Sequence, residues 1–193
     1  MKGAIFKLFE AFVEVSYGPE ALEDLLDSAE LETTEPFVGP GNYPPGDLLA
    51  LVAKAVEVHE TTTEELLRAF GRHAFPSLAG SVPTLLEGLD TPRDLLCNLE
   101  SVIHTEVRKL DPEASPARFT VTELGPTEIL LHYQSPFGLF PLVEGLLAGV
   151  GDWYDMPLHH ELVQTEHTNA TFLVRFSEVS GDEEPGLVGN ARS

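Results

Sequence analysis

Cysteine is almost absent from this chain: the single Cys97 excludes an internal disulfide and a cysteine-built metal knuckle. Basic residues are scarce as well. Eleven lysines and arginines stand against 32 acidic residues, a formal net charge of −21, which repels a phosphate backbone or an anionic bilayer over most of the surface. Nucleic acid and membrane are therefore not expected as partners. No apolar run approaches the roughly 20 uninterrupted residues of a membrane-spanning helix. The opening segment MKGAIFKLFEAFVEV carries Lys7 and Glu10 inside its apolar pattern and lacks a small-residue cleavage site, so it reads as a helix of the mature protein. With a lone thiol suited to a reducing compartment, these absences point to the cytoplasm. No glycine-rich phosphate loop follows a strand and there is no Gly-x-Ser-x-Gly turn. The chain is expected not to be an enzyme.

What is present is a change of period along the chain. Ile5, Leu8, Phe9, Phe12 and Val13 recur at helical spacing, and Tyr17-Gly18-Pro19 ends that helix and starts a second, which stops near Ala29. Residues 33–45 hold Pro36, Gly39, Pro40, Gly41, Pro44 and Pro45 and must be irregular, either a functional loop or a surface wrap. Asp47 opens a helix to about Val58. Thr61 to Glu65 offers a capping box for another, ending near Ala74. Gly80, Pro83 and Gly88 break up the stretch beyond it. Thr91-Pro92 then begins the longest helix, which continues to Leu110 before Asp111-Pro112 ends it.

From Arg118 apolar residues alternate instead: Phe119 and Val121, then Ile129, Leu131 and Tyr133, then Phe172, Val174 and Phe176. Between these strands, Leu139 to Trp153 repeats apolar residues at Leu142, Val143, Leu146, Leu147 and Val150, a helix packed on the sheet. The pattern predicts an α+β protein, one domain over residues 1–177 with a helical N-terminal lobe (1–110) and a lobe with an antiparallel sheet and a packed helix (111–177). Residues 178–193, rich in Glu and Gly, read as an acidic disordered tail.

Few residues offer chemistry. His159 and His160, near Glu161 and His167, are adjacent on a strand and point to opposite faces, so they cannot easily serve one ion. On the long helix Leu95, Leu96, Leu99, Val102, Ile103, Val107 and Leu110 form one inward arc, and His104 lies beside it on the side of Cys97, facing either solvent or a cleft. Tyr133 and Ser135, two apart on a strand, project from one face, where their hydroxyls can serve one anionic group.

In their order and spacing these pieces resemble the H-NOX (HNOB) family, the haem nitric oxide/oxygen binding domain of bacterial sensors and soluble guanylate cyclase. The resemblance runs from Met1 to about Phe176. It is carried by MKGAIFKLFEAFV, SYGPEAL, Phe70-Gly71-Arg72, Asn98-Leu99, Ile103-His104 and Leu131-His132-Tyr133-Gln134-Ser135. It implies a haem b (iron) cleft between the lobes, with His104 as the single proximal ligand of a five-coordinate iron whose other face is open to a gas. Tyr133 and Ser135 match two members of the family's Tyr-x-Ser-x-Arg motif, which hydrogen-bonds the haem propionates; the arginine position is Phe137. The family's proline beneath the haem aligns with Ala117, and here the proline is Pro116.

The same resemblance places Ile5, Phe9, Leu142 and Leu146 around the gas. Leu142 stands where oxygen-binding members carry tyrosine, which implies binding of nitric oxide and carbon monoxide without a stable oxygen complex. His73, near this side, is expected to be exposed. Signalling through release of His104 to a separate histidine kinase, diguanylate cyclase or chemotaxis receptor is the implied function. The alternative is a haem-free module of the same fold that binds an apolar molecule or a partner protein, which the loss of the motif arginine favours.

Overall fold

The computed structural model describes residues 1–110 and 116–177. The first helix, α1 (Gly3–Tyr17), buries Phe6, Phe9, Phe12 and Val13, so the expected stripe turns slightly toward Phe6, leaving Ile5 and Leu8 partly buried at its margin. Gly18 holds φ at +97°, a value costly for any residue with a Cβ, and Pro19 then starts α2 (Pro19–Ser28) at its first helical position. α3 spans Pro45–His59. Together with the front half of α4 (Thr63–Ser81) these helices close a core in which Phe9 meets Phe70 edge-on at 5.1 Å. Each fully buried ring of this kind stabilises the fold by about 1.5–3 kcal/mol.

Residues 33–45 are a packed wrap. Phe37 stacks on Phe6 at 4.4 Å, and Tyr43 meets both rings edge-on. The Met1 ammonium donates to the Tyr43 carbonyl at 2.7 Å while the Tyr43 amide donates to Met1 at 2.9 Å. The buried Asp47 carboxylate accepts from the amides of Glu32 (2.7 Å) and Thr33 (3.2 Å) and from the Thr33 hydroxyl (2.5 Å). Burial works to raise its pKa, but these three donors outweigh it and hold the carboxyl below its usual range.

Thr62 and Glu65 form the capping box that starts α4. The helix does not stop near Ala74, as expected, but runs to Ser81 with Pro76 inside it. An interior proline forfeits one backbone bond at about 3 kcal/mol. Here the helix continues because Phe75 and Ala79, on either side of the proline, are buried against the sheet lobe. After a short 3₁₀ turn (Pro83–Leu85), Thr91 and Asp94 form a second capping box and Pro92 begins α5 (Pro92–Asn98). The expected single helix is not uniform: a π-helical segment, Leu99–His104, separates α5 from α6 (Thr105–Leu110). The helix end expected at Asp111-Pro112 lies outside the described residues.

Strands β1 (Arg118–Glu123), β2 (Glu128–Gln134), β3 (Leu158–Glu166) and β4 (Asn169–Phe176) form an antiparallel sheet in the order β1-β2-β4-β3. Ile129, Leu131, Tyr133, Ala170, Phe172 and Val174 point from the two central strands into a second core, closed by Leu95 and Leu96 of α5 and by Val143, Leu147 and Val150 of α7 (Phe140–Trp153). The two cores meet where α4 crosses α7. A Cβ at Gly71 would lie 2.4 Å from the Leu142 carbonyl oxygen, and one at Gly145 would lie 2.1 Å from that of Arg68. Glycine is required for backbones this close. Among the described residues no helix is long and apolar enough to cross a membrane. The expected tail, 178–193, lies outside them.

Candidate functional site

The site is built around the π segment. Such a segment closes its hydrogen bonds over five residues where an α-helix closes them over four, which rotates the positions within and after it. Val102, expected on the inward arc, is 37% exposed, while Ile103 is buried and the His104 side chain is only 15% exposed. The side chains of Val107 and Leu110, also expected there, lie outside the described part. The Thr105 hydroxyl donates to the Glu100 carbonyl at 3.0 Å, supplying a partner within the irregular turn.

His104 leaves the helix toward β1, its ring 5.8 Å from that of Phe119. Its Nδ1 lies 3.2 Å from the Glu100 carboxylate, and the backbone of Ala117 offers a second acceptor. Burial lowers the His104 pKa; Glu100 and Ala117 pull it up and Arg108 pushes it down, and the result stays below the usual value. The imidazole is therefore neutral at neutral pH, with one ring proton and one lone pair. Burial also opposes the charge of Glu100, yet the amide of Phe119 (3.1 Å), the Arg108 guanidinium and His104 together keep its pKa lowered. Glu100 was not singled out from the sequence. Its i,i+4 spacing to His104 was readable; its bond to Phe119, 19 residues on, was not.

Tyr133 shares Phe119 with His104, at 5.4 Å between rings, and meets Phe140 edge-on at 5.9 Å. Burial raises the pKa of its hydroxyl, which bonds the Ser135 side chain and the backbone of Leu139. Ser135 is also buried and accepts from the Phe137 amide at 3.3 Å. The Phe137 ring is 38% exposed, so no guanidinium stands beside the two hydroxyls from that position. Pro116 is half-buried next to Ala117, where the chain enters β1.

On the other side Ile5, Phe9 and Leu142 belong to the helical core, whereas Leu146 packs against the sheet core. Leu142 and Leu146 flank the α7 backbone that touches Gly71. His73 is half-buried rather than exposed, its ring 5.6 Å from Phe12, because α1 covers that flank of α4. His159 is exposed and His160 half-buried, as alternation on β3 requires. Among the described residues no three His, Cys, Asp or Glu side chains converge as a metal-binding group. Cys97 is half-buried, and burial raises its pKa.

The sequence matches the haem-NO-binding family (HNOB) over residues 2–162. The chain belongs to this family. Its fold is similar to that of the unliganded Fe(II) H-NOX protein of K. algicida (TM-score 0.82, 26% identity, 92% of this chain and 97% of that one). It is equally similar to the S. oneidensis H-NOX protein in its Fe(II)NO state (TM-score 0.84, 25% identity, 92% and 99%). The H-NOX of Shewanella woodyi, solved bound to IWP-051 in its Fe(II)CO state, is 32% identical with a TM-score of 0.79 over 95% and 98% of the two chains. The α+β architecture expected from the sequence is thus that of H-NOX proteins, a family of haem-based gas sensors.

The donor chemistry of this H-NOX chain fits a haem. A neutral imidazole whose one proton faces a carboxylate has its other nitrogen free as a Lewis base toward iron. Two buried hydroxyls on one strand can donate to a carboxylate. The fit is thinner at the propionates, where Phe137 offers no charge-assisted fork.

Proposed function

We propose that this chain is a cytoplasmic haem-based sensor of nitric oxide, which also binds carbon monoxide but holds no stable oxygen complex. In this reading His104 is the sole protein ligand of a haem b iron, and Tyr133 and Ser135 hold the propionates. Pro116, one residue before the position of the family's proline, would pack against the haem, and Ile5, Phe9, Leu142 and Leu146 would line the side of the gas. The observation that supports it most is the setting of His104: a neutral, nearly buried imidazole at the end of a π segment, in a chain of the haem-NO-binding family. When bound, the haem supplies an iron with one coordination face open to a diatomic gas.

The residues of this chain supply the rest. Glu100 keeps the His104 ring proton on one side, and the apolar side chains exclude water. Leu142 and Leu146 offer bound oxygen no hydrogen-bond donor, whereas nitric oxide depends on one far less. The helix bearing His104 packs on β1 of the sheet lobe, and α7, bearing Leu142 and Leu146, crosses α4 of the helical lobe. A change of load on His104 therefore acts first on the sheet core that its helix shares with β1, and the α4–α7 crossing carries it on to the helical core. A coupling of about 1–3 kcal/mol between gas binding and lobe arrangement suffices for a signal. The recipient is a separate protein, a histidine kinase, a diguanylate cyclase or a chemotaxis receptor. One observation favours a second reading, a haem-free module for an apolar molecule: Phe137 stands at the motif's arginine position, and the Tyr133 and Ser135 hydroxyls bond each other.

The test is the absorption spectrum of the ferrous protein after haem reconstitution, with and without nitric oxide, beside His104→Ala. A Soret band that nitric oxide shifts and the substitution alters supports the sensor. Failure of the natural protein to retain haem favours the second reading.

A further inference from the structure

Three donors from three places in the chain converge on one carboxylate. Glu100 accepts from the Phe119 amide of β1 at 3.1 Å and from the Arg108 guanidinium of α6, and it faces His104 Nδ1 at 3.2 Å. A carboxylate with such partners is an acceptor only, so the nitrogen facing it carries the ring proton. The Ala117 backbone is a second acceptor for the ring, but a charge-assisted bond is roughly twice as strong as one to a neutral acceptor. The ring is thereby fixed as the Nδ1–H tautomer, with the Nε2 lone pair directed away from Glu100.

We infer that Glu100 is the positioning residue of His104: it sets the tautomer, holds the ring plane, and lends the imidazole partial anionic character that strengthens its bond to iron. The inference rests on His104 being the iron ligand. A carboxylate hydrogen-bonded to a ligating histidine raises the basicity of that ligand and fixes its orientation. The same carboxylate is tied to the first residues of the sheet lobe through Phe119, so movement of His104 is resisted from β1 as well as from its own helix. Glu100 thus makes the ligand of this chain stiffer and harder to displace than a histidine held only by a backbone carbonyl.

Glu100→Gln keeps the size and removes the charge; Glu100→Ala removes the acceptor. In the haem-free protein, ¹⁵N NMR of the His104 ring is expected to show a dominant Nδ1–H tautomer that is lost in Glu100→Ala and weakened in Glu100→Gln. In the reconstituted ferrous protein, resonance Raman is expected to show the iron–histidine stretch moving to lower frequency in both variants. Haem affinity should fall by about 10- to 100-fold, the usual cost of losing such a partner. A merely structural Glu100 would move neither the tautomer nor the stretch in the isosteric glutamine variant. If both stay as in the natural protein, the inference is overturned. If the natural protein takes up no haem, the ligand reading and the role toward iron fall together. In that case the tautomer in the haem-free chain still shows separately whether Glu100 holds the ring.

Discussion

Gly71→Ala adds one methyl group where α4 and α7 run backbone to backbone. The new Cβ would sit 2.4 Å from the Leu142 carbonyl oxygen, 2.8 Å from the Leu146 amide nitrogen and 3.0 Å from the Gly145 carbonyl carbon. None of these is a side chain that can rotate away. Reaching ordinary contact at 3.4 Å means separating the helices by about 1.0 Å, and forcing an extra methyl group into a tight interior costs about 1–3 kcal/mol. A backbone wall puts the cost at the upper end of that range. Alanine returns about 1 kcal/mol through its better helix propensity, leaving a net loss of about 2 kcal/mol.

At about 2–4 °C per kcal/mol for a chain of this size, Tm falls by about 4–8 °C in thermal unfolding followed by circular dichroism. Gly80→Ala is the matched control: the same change on the same helix, with nothing within 4 Å of the new Cβ. It should hold or raise Tm by up to about 4 °C. A Gly71→Ala protein as stable as the natural one, or two variants shifting in the same direction, would refute the close crossing as the joint between the lobes.

Thr91→Ala removes the side chain that accepts from the Asp94 amide at 3.1 Å and should cost about 1 kcal/mol in a urea titration. Asp47 has its pKa lowered in the fold, so its contribution is complete above the unfolded value and is lost as the pH falls below about 4 toward the folded value. Glu32 and Thr33 should therefore lose their hold on α3 in acid, and Asp47→Asn should flatten the stability–pH curve there while costing about 1–3 kcal/mol at neutral pH. Arg72 donates to Asp152 at 2.5 and 2.8 Å, but both side chains are at least half exposed, so Arg72→Ala should cost under about 1 kcal/mol. In the sensor reading, Leu142→Tyr should confer an oxygen-bound absorption spectrum on the ferrous protein; no gain in oxygen affinity would argue against Leu142 facing the gas.

The sequence alone determined most element types, because these are local. Caps at Thr62 and Thr91, prolines at helix starts, apolar stripes at helical spacing in α1 and α7, and the switch to period two at Arg118 each act within a few residues. The family was legible too, but from segments spread from MKGAIFKLFEAFV to Leu131-His132-Tyr133-Gln134-Ser135 taken in order, not from any one residue. What the sequence did not yield depends on contacts between segments far apart in the chain. Burial of Phe75 and Ala79 against the sheet lobe carries α4 through Pro76. The π segment turns Val102 out, and α1 covers His73. The aromatic cluster of Phe6, Phe37 and Tyr43 turns a proline-rich loop into part of the core. Only the tertiary structure brings the Phe119 amide to Glu100 and so joins the His104 helix to the sheet. Local propensities fix what each segment forms, but which face is buried, and which carboxylate meets which ring, is decided by the partner across the core.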